Sequence, residues 1–332
     1  MRIAVDAFGG DNAPLEIIKG AANAVAEFGV DIVLTGDRAT IEKCARDNEI
    51  SLDGMEIVQA DTVFDMHDQP TEILKSKKDT SLGVALQLVA EDKADAFVSA
   101  GSTGAIVAGA TFIIKRIKGV KRPALGTVLP SKTRRFILMD CGANAECRPE
   151  MLEQFAVMAS HYMKNVEGVE NPEVGLLNIG TENTKGTPLQ LEAYKLLEQS
   201  NLNFIGNVES RDVPAGVCDC VIADGFTGNI ALKLYEGVAM SLMSLLKGVF
   251  LTNIKTKVAY LLAKNPMMGL KKFADYGDIG GAPLLGVKKP VIKAHGGSNA
   301  KAIKNAIRQA KICVENNVTE KIAGDLVKGE TK

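Results

Sequence analysis

Six loops constrain this chain more than any other feature. They read VDAFGGDNAP, SAGSTGA, MDCGANAE, NIGTENTKG, IADGFTGN and AHGGSN. Each closes a short run rich in Val, Ile or Leu, and most open a helical pattern. In an open α/β sheet, loops at the carboxyl ends of parallel strands gather along one edge, and ligands bind there. Glycine lets the backbone approach a ligand closely, and helix N-termini offer unpaired N–H groups to an anion. The pattern predicts a sheet built around a small anion, with phosphate the best fit.

Strands are predicted at Ile3–Val5, Asp31–Leu34, Glu56–Gln59, Ala96–Ser99, Ala124–Leu129, Phe136–Met139, Val174–Asn178, Phe204–Asn207, Cys220–Ala223 and Val291–Lys293. Amphipathic helical patterns lie between many of them. In the last, Ile303, Ala306, Ile307, Ala310 and Val314 share one face, while Lys301, Lys304, Arg308 and Lys311 share another. Alternation of this kind means βαβ units and a mostly parallel sheet in αβα layers. Ala124–Met139 breaks the rhythm as two adjacent strands around Pro130-Ser131-Lys132-Thr133, a hairpin and a lobe boundary near 124–140. At 332 residues the expectation is one catalytic unit of two lobes over 1–332, with the helix at 298–318 returning to the first lobe.

Residues 229–276 read as successive helices with no strand between them. From Leu242 to Phe273 the chain carries Lys247, Lys255, Lys257, Lys264, Lys271 and Lys272 and no acid. Ile254, Val258, Leu261 and Leu262 recur at helical spacing, Asn265-Pro266 marks a break, and Met267, Met268 and Leu270 continue the apolar character. The segment 249–273 suits an anionic bilayer surface or a helix pair shared with a second copy, and the two readings are compatible.

A net charge of −1 and the lack of a basic, aromatic-interleaved repeat argue against nucleic acid as a partner. The six cysteines are scattered. Cys218 and Cys220 form a CxC in an apolar run, where alternation predicts two thiols on one buried face rather than a metal site. Met1-Arg2 leads directly into the first strand without a signal-type segment, and a reducing cytoplasm fits. The uncharged run Ala96–Ile114 holds Ser99, Gly101, Ser102, Thr103 and Gly104 near its middle, so it reads as strand, loop and buried helix rather than a membrane span.

Among the loops, Gly101-Ser102-Thr103-Gly104 offers hydroxyls and N–H groups to phosphate, or is simply a capped turn. Asp224 either orients a donor or caps the helix it precedes, and Asn229 is placed to hydrogen-bond an oxyanion. The loop Asp140-Cys141-Gly142-Ala143-Asn144 has the same position after its strand, which makes Asn144 a candidate substrate-binding residue. Cys141 has no base beside it in sequence, so it reads as an inert thiol rather than a nucleophile. Lys185 can set one ammonium beside a phosphate, though the glycine-to-lysine order is not that of a Walker loop. His295 ends a strand before Gly296-Gly297, a context that His67 and His161 lack. GxGxxG, HExxH, GxSxG and metal-spaced carboxylates are missing, which favours a reaction needing no metal, nicotinamide or covalent serine.

Taken together and in order, VDAFGGDNAP, GSTGA, DCGAN, GNVESRD and ADGFTGNIALK resemble the phosphate acyltransferases of bacterial phospholipid synthesis, from Met1 to about Ala323. That resemblance implies an isocitrate/isopropylmalate-dehydrogenase-like fold related to phosphotransacetylases. It also implies transfer of a fatty acyl group from acyl carrier protein to inorganic phosphate, with no cofactor. The acyl phosphate then serves a membrane glycerol-3-phosphate acyltransferase. It further implies a homodimer that associates peripherally with the membrane from the cytoplasm. Two positions depart from the family pattern: Phe8 stands where Met is usual, and Cys141 where Val is common, which speaks against a nucleophilic thiol.

On this reading Lys185, Asp224, Asn229 and His295 carry the chemistry. Gly101, Ser102, Thr103, Gly104, Asn144 and Asn207 bind phosphate or substrate. Lys115, Arg116, Lys118, Lys121 and Arg122 are either a docking surface for the acidic carrier or a solvated loop. Three other functions compete: a short-chain acyl-CoA phosphotransacetylase, a metal- and NAD-dependent dehydrogenase of similar fold, and a membrane scaffold without turnover. The dehydrogenase needs an acidic metal cluster and a nicotinamide site, and the scaffold leaves the phosphate-type loops unexplained.

Overall fold

The computed structural model describes residues 1–273 and 280–329, with side chains through residue 263 and from 280 to 326. Among these residues the strands are β1 (Arg2–Asp6), β2 (Asp31–Gly36), β3 (Met55–Gln59), β4 (Ala96–Ser99), β5 (Ala124–Pro130), β6 (Arg135–Met139), β7 (Glu173–Asn178), β8 (Asn203–Glu209), β9 (Cys220–Ile222), β10 (Gly281–Leu285) and β11 (Val291–Ala294). The helices are α1 (Leu15–Phe28), α2 (Arg38–Asp47), α3 (Ser81–Ala90), α4 (Thr103–Gly109), α5 (Pro149–Asn165), α6 (Pro188–Gln199), α7 (Gly225–Leu251), α8 (Ile254–Phe273), α9 (Ala300–Glu315) and α10 (Val318–Gly329).

All strands join one sheet in the order β3-β2-β1-β4-β11-β10-β5-β6-β9-β7-β8. Neighbours from β3 to β11 run parallel, as do β6, β9, β7 and β8. Three antiparallel pairings, β11–β10, β10–β5 and β5–β6, lie between these blocks. An odd number of reversals means that the two parallel blocks point in opposite directions. The expectation that all six loops share one edge is therefore corrected. Those after β1, β4 and β11 lie at one end, and those after β6, β7 and β9 at the other. Hydrophobic periodicity marks a strand but not its direction, so this reversal leaves no trace in the pattern.

Layers of helix cover both faces of the sheet. One continuous core joins α1, α5 and α9 to the sheet through Ile18, Tyr162, Ile303 and Ile307. On the other face, Leu82, Leu86 and Ile106 of α3 and α4 cover the first block. Leu129, Phe136 and Leu138 pack there under the early turns of α7 in the second block. The stretch Ala96–Ile114 forms β4, the loop and a largely buried helical segment, from which Phe112 is exposed rather than buried. The hairpin forms as read, with Gly126 opposite Met139 and Pro130 opposite Arg135.

Several details differ from the sequence reading. β10, Gly281-Ala-Pro-Leu-Leu285, is not among the strands predicted from sequence, and its Gly and Pro are poor strand formers. It is a strand because β11 and β5 flank it. α8 runs on through Asn265-Pro266 to Phe273 instead of breaking there, while the side chains of Lys264, Met267, Met268, Leu270, Lys271 and Lys272 lie outside the described residues. Cys218 precedes β9 rather than lying in it. Its side chain packs with Leu129 and Leu138, whereas Cys220 packs in the opposite core with Ile137. α9 lies against α1, β4 and β11, and a further helix, α10, packs on α5 and α9.

Candidate functional site

At the carboxyl end of β6, Asp140 organises a tight loop. Its carboxylate accepts hydrogen bonds from the N–H groups of Leu125 (3.0 Å), Gly142 (3.2 Å), Ala143 (3.0 Å) and Asn144 (2.7 Å). Burial pushes the Asp140 carboxyl up, and these donors oppose the shift. Asn144 gives its amide N–H groups to Asp140 Oδ2 (2.9 Å) and to the carbonyl of Pro123 (2.8 Å). Its NH2 group is thus committed to holding the loop.

The start of α7 docks onto that loop. Gly225 N–H donates to the Asn144 carbonyl at 2.8 Å. Asp224 caps the helix, accepting from Phe226 N–H (3.1 Å), Thr227 N–H (2.9 Å) and Thr227 Oγ1 (2.7 Å). A Cβ on Gly228 would stand 1.9 Å from the Asp140 carbonyl oxygen, so only glycine permits this approach. Asn229 is half-buried one residue later, its side chain beside Gly142. Among the described residues it makes no side-chain hydrogen bond to the rest of the chain, which leaves its amide open to a ligand.

The β7 loop lies at the same end. Asn178 Oδ1 accepts from Ile179 N–H (2.8 Å) and its Nδ2 donates to the Lys185 carbonyl (3.0 Å). Asn207, on β8, donates to the Glu182 carbonyl at 2.7 Å, while its buried Oδ1 has no partner. The Lys185 side chain is exposed. Lys185, Asn207, Asn144, Asp224 and Asn229 therefore all belong to the second block's carboxyl edge.

The opposite edge gathers the remaining predicted residues. Ser99 Oγ donates to Asp6 Oδ2 (2.8 Å) and accepts from Gly101 N–H (2.9 Å). Asp11 N–H donates to the Gly296 carbonyl at 2.8 Å, and Asn12 donates to the carbonyls of Gly297 (3.2 Å) and Ser298 (3.3 Å). Gly10 holds a φ of 100°, with its absent Cβ 2.8 Å from the Gly296 oxygen. The loops after β1, β4 and β11 are thereby interleaved. Ser102 sits at the N-cap of α4 without a side-chain capping bond, and Thr103 and Gly104 open the helix. His295 is exposed and accepts from Gly297 N–H through Nδ1 at 3.1 Å.

Lys293 was missed in the sequence, where it passed as the end of an apolar strand. Its ammonium lies among the carbonyls of Ala100 and Ala294. Burial pulls its pKa down to about 8 despite the opposing charge of Asp11. A single lysine in the otherwise apolar Val291–Ala294 was the available signal. Helix α7 connects the edges. It starts at the Asp140 loop, and about three turns on, Glu236 feels the charge of His295 against the upward push of burial.

Cys141 is buried, with its thiol pushed up to about 12 by burial, and it donates to the Leu138 carbonyl at 3.0 Å. A thiolate is out of reach at neutral pH. Beyond the site, α8 follows α7 as a packed helical hairpin, with the rings of Phe250 and Tyr260 5.4 Å apart. It exposes Leu245, Val249, Ile254, Val258, Leu261 and Leu262. By length and composition alone α7 could cross a membrane, a helix the search for spans in the sequence passed over.

Residues 1–321 match the family described as "Fatty acid synthesis protein". A "Phosphate acyltransferase" of Clostridioides difficile is 48% identical, covering 97% of this chain and 95% of its own length. Another, of Geobacillus thermodenitrificans, is 46% identical over 98% of this chain and 99% of its own. Among solved structures, the EutD phosphotransacetylase from Staphylococcus aureus aligns at a TM-score of 0.61 with 19% identity, covering 94% of each chain. A phosphotransacetylase from Streptococcus pyogenes gives the same score at 20% identity and the same coverage. At such identity the structural likeness speaks for the fold alone.

Proposed function

This chain belongs to the fatty acid synthesis protein family, together with the phosphate acyltransferases, and on that premise we propose that it moves a fatty acyl group from acyl carrier protein to inorganic phosphate. It is an acyltransferase. The observation that carries the reading is identity of 45–48% to phosphate acyltransferases along nearly the whole chain. The capped start of α7, with Asn229 open beside Gly142, supplies a place for the chemistry.

A phosphate oxygen attacks the thioester carbonyl and a C–O bond forms. The tetrahedral oxyanion collapses, the C–S bond breaks, and the thiolate of the carrier's arm leaves and takes a proton from solvent. Phosphate is already an anion near neutral pH and a thiolate leaves readily, so alignment is the main task. Alignment can supply roughly 7–11 kcal/mol in favourable cases. Lys185 would hold phosphate, and the amide of Asn229 would meet the oxyanion, a donor of that kind being worth about 3–4 kcal/mol. Asp224 acts indirectly by fixing the first turn of α7. His295 and the Gly101–Gly104 loop belong to the other edge, where Lys293 adds a cation, and they would hold an anionic or polar portion of the substrate.

The exposed apolar hairpin supports a homodimer, a peripheral contact with an anionic membrane, or both, with the protein on the cytoplasmic side. Acyl phosphate made there would pass to a membrane glycerol-3-phosphate acyltransferase. The decisive assay supplies palmitoyl-acyl carrier protein and labelled phosphate to purified protein. Labelled acyl phosphate is the expected product. Turnover of short acyl-CoA alone, or no acyl phosphate from either donor, would overturn the proposal.

A further inference from the structure

A cavity of about 470 Å³ opens beside the Asp140 loop. Arg116, Lys121, Arg122 and Arg148 line it together with Phe112 and Met151, and no carboxylate does. Four cations around one cavity are notable in a chain of net charge −1. Lys115 and Lys118, neighbours in the same basic run, are not part of the lining, whereas Arg148 arrives from the N-cap of α5, distant in sequence.

Like charges gathered at a surface repel one another, and a mobile loop would disperse them. This loop is fixed. The Arg116 guanidinium donates to the carbonyls of Val120 (3.2 Å) and Lys121. Lys121 N–H donates to Gln154 Oε1 and Gln154 Nε2 donates to the Gly119 carbonyl, each at 2.9 Å, so the loop is bound to α5. Ile117 N–H donates to the Gly286 carbonyl at 3.0 Å, which ties its other end to the turn after β10. Neutralisation is slight. Lys121 lies 3.9 Å from Glu150, and among the described residues Arg122 and Arg148 form no ion pair. Both are exposed, and Phe112 in the same lining is 60% exposed. A held set of cations, Arg122 and Arg148 among them without an ion-pair partner, beside exposed apolar lining is what an acidic protein surface with a projecting apolar side chain requires.

The position matters as much as the charge. Arg122 is followed by Pro123, whose carbonyl accepts from Asn144 Nδ2 at 2.8 Å. The cavity wall and the loop against which Asn229 rests are therefore one hydrogen-bonded piece of chain.

We infer that this cavity is the docking surface for the acidic carrier protein that delivers the acyl thioester, with Arg122 and Arg148 as its principal contacts. The inference rests on the acyl-transfer reading and deepens it. Opposite charge steers encounter and lowers KM without entering the chemical step. Exposed charge pairs are screened over about 10 Å at 0.1 M salt, so the contribution is salt-sensitive.

The test is the double variant Arg122→Glu/Arg148→Glu, compared with Arg122→Lys/Arg148→Lys and with single Arg148→Glu, whose side chain is exposed at a helix start. Each is measured for unfolding temperature, for steady-state kinetics with palmitoyl-acyl carrier protein, and for calorimetric binding of the carrier lacking its prosthetic arm. The charge-reversed variant should raise the carrier KM at least tenfold, keep kcat within twofold, and lose most of the salt dependence of KM. The lysine variant should stay near wild type, and Arg148→Glu should fall between. An unchanged KM in folded Arg148→Glu and double variants overturns the docking assignment. So does release from phosphatidylglycerol vesicles with KM unchanged, which would make the cavity a bilayer contact. Should the double variant fail to fold, Arg148→Glu alone decides. Wild-type protein that makes no acyl phosphate would instead sink the acyl-transfer reading itself.

Discussion

Asn229 and Lys185 stand out in the sequence by their place in strand-ending glycine loops, and among the described residues neither side chain hydrogen-bonds to the rest of the chain, unlike Asn144, Asn178 and Asp224, which hold their loops. Asn229→Ala should lower kcat by about a hundredfold to a thousandfold, the scale of one lost oxyanion donor. Lys185→Ala should chiefly raise the phosphate KM. Steady-state kinetics at varied phosphate separates the two effects, and a variant with wild-type constants leaves the site. Cys141→Val should keep activity within a few-fold, since the buried thiol is pushed to about 12 by burial and donates to the Leu138 carbonyl rather than to a base. Lys293 was not legible, because its significance comes from loops distant in sequence that close over it. Burial lowers its pKa from the usual lysine value to about 8. Below pH 8 the folded state bears the cost of a buried ammonium. Between about pH 8 and the unfolded value of about 10.4, the unfolded chain holds a proton that the folded one has released, so this group makes stability rise with pH. Lys293→Met should flatten that rise, read as the difference in unfolding temperature between wild type and variant at pH 7.5 and pH 10.

Elements tell the same story with different blind spots. Ten of the strands were visible as apolar runs, and the Pro130–Thr133 hairpin was visible from its turn residues. β10 was hidden because Gly281 and Pro283 carry the wrong local preference and only the flanking strands make it extended. Helix α7 is the element on which the site depends most. Its N-cap fixes the first turn, and Asp224→Ala should cost about 0.5–2 kcal/mol of stability. The same change should lower turnover by more than the loss of folded protein explains, because Asn229 rides on that turn. Gly228→Ala should be worse, although alanine is the better helix former by about 1 kcal/mol. Its Cβ would meet the Asp140 carbonyl oxygen at 1.9 Å and lift α7 away from the β6 loop. A denaturation series that found Gly228→Ala neutral or stabilising would refute this packing argument.

For the whole molecule, fold class and family were readable from the order of the loops, while the opposed strand blocks were not, since direction is fixed by pairing alone. The hairpin of α7 and α8 leaves a run of apolar side chains uncovered, with Ile254 80% and Leu262 84% exposed. Leu261→Glu should release the protein from phosphatidylglycerol vesicles while acyl transfer in solution survives. Collapse to a monomer with lost activity would assign the face to a second copy instead. The sheet order also has a consequence for how the chain is made. β4 lies between β1 and β11, and β5 between β10 and β6, so residues 281–294 fill the centre of a sheet whose other strands precede them. During synthesis the ribosome will have released more than 270 residues while the facing margins of both blocks still lack their partners. Those margins are exposed strand edges for that whole interval. The nascent protein is therefore two half-sheets awaiting a central seam, and a ribosome stalled before residue 281 should hold a chaperone-dependent, aggregation-prone intermediate that the last fifty or so residues convert at once into one continuous sheet.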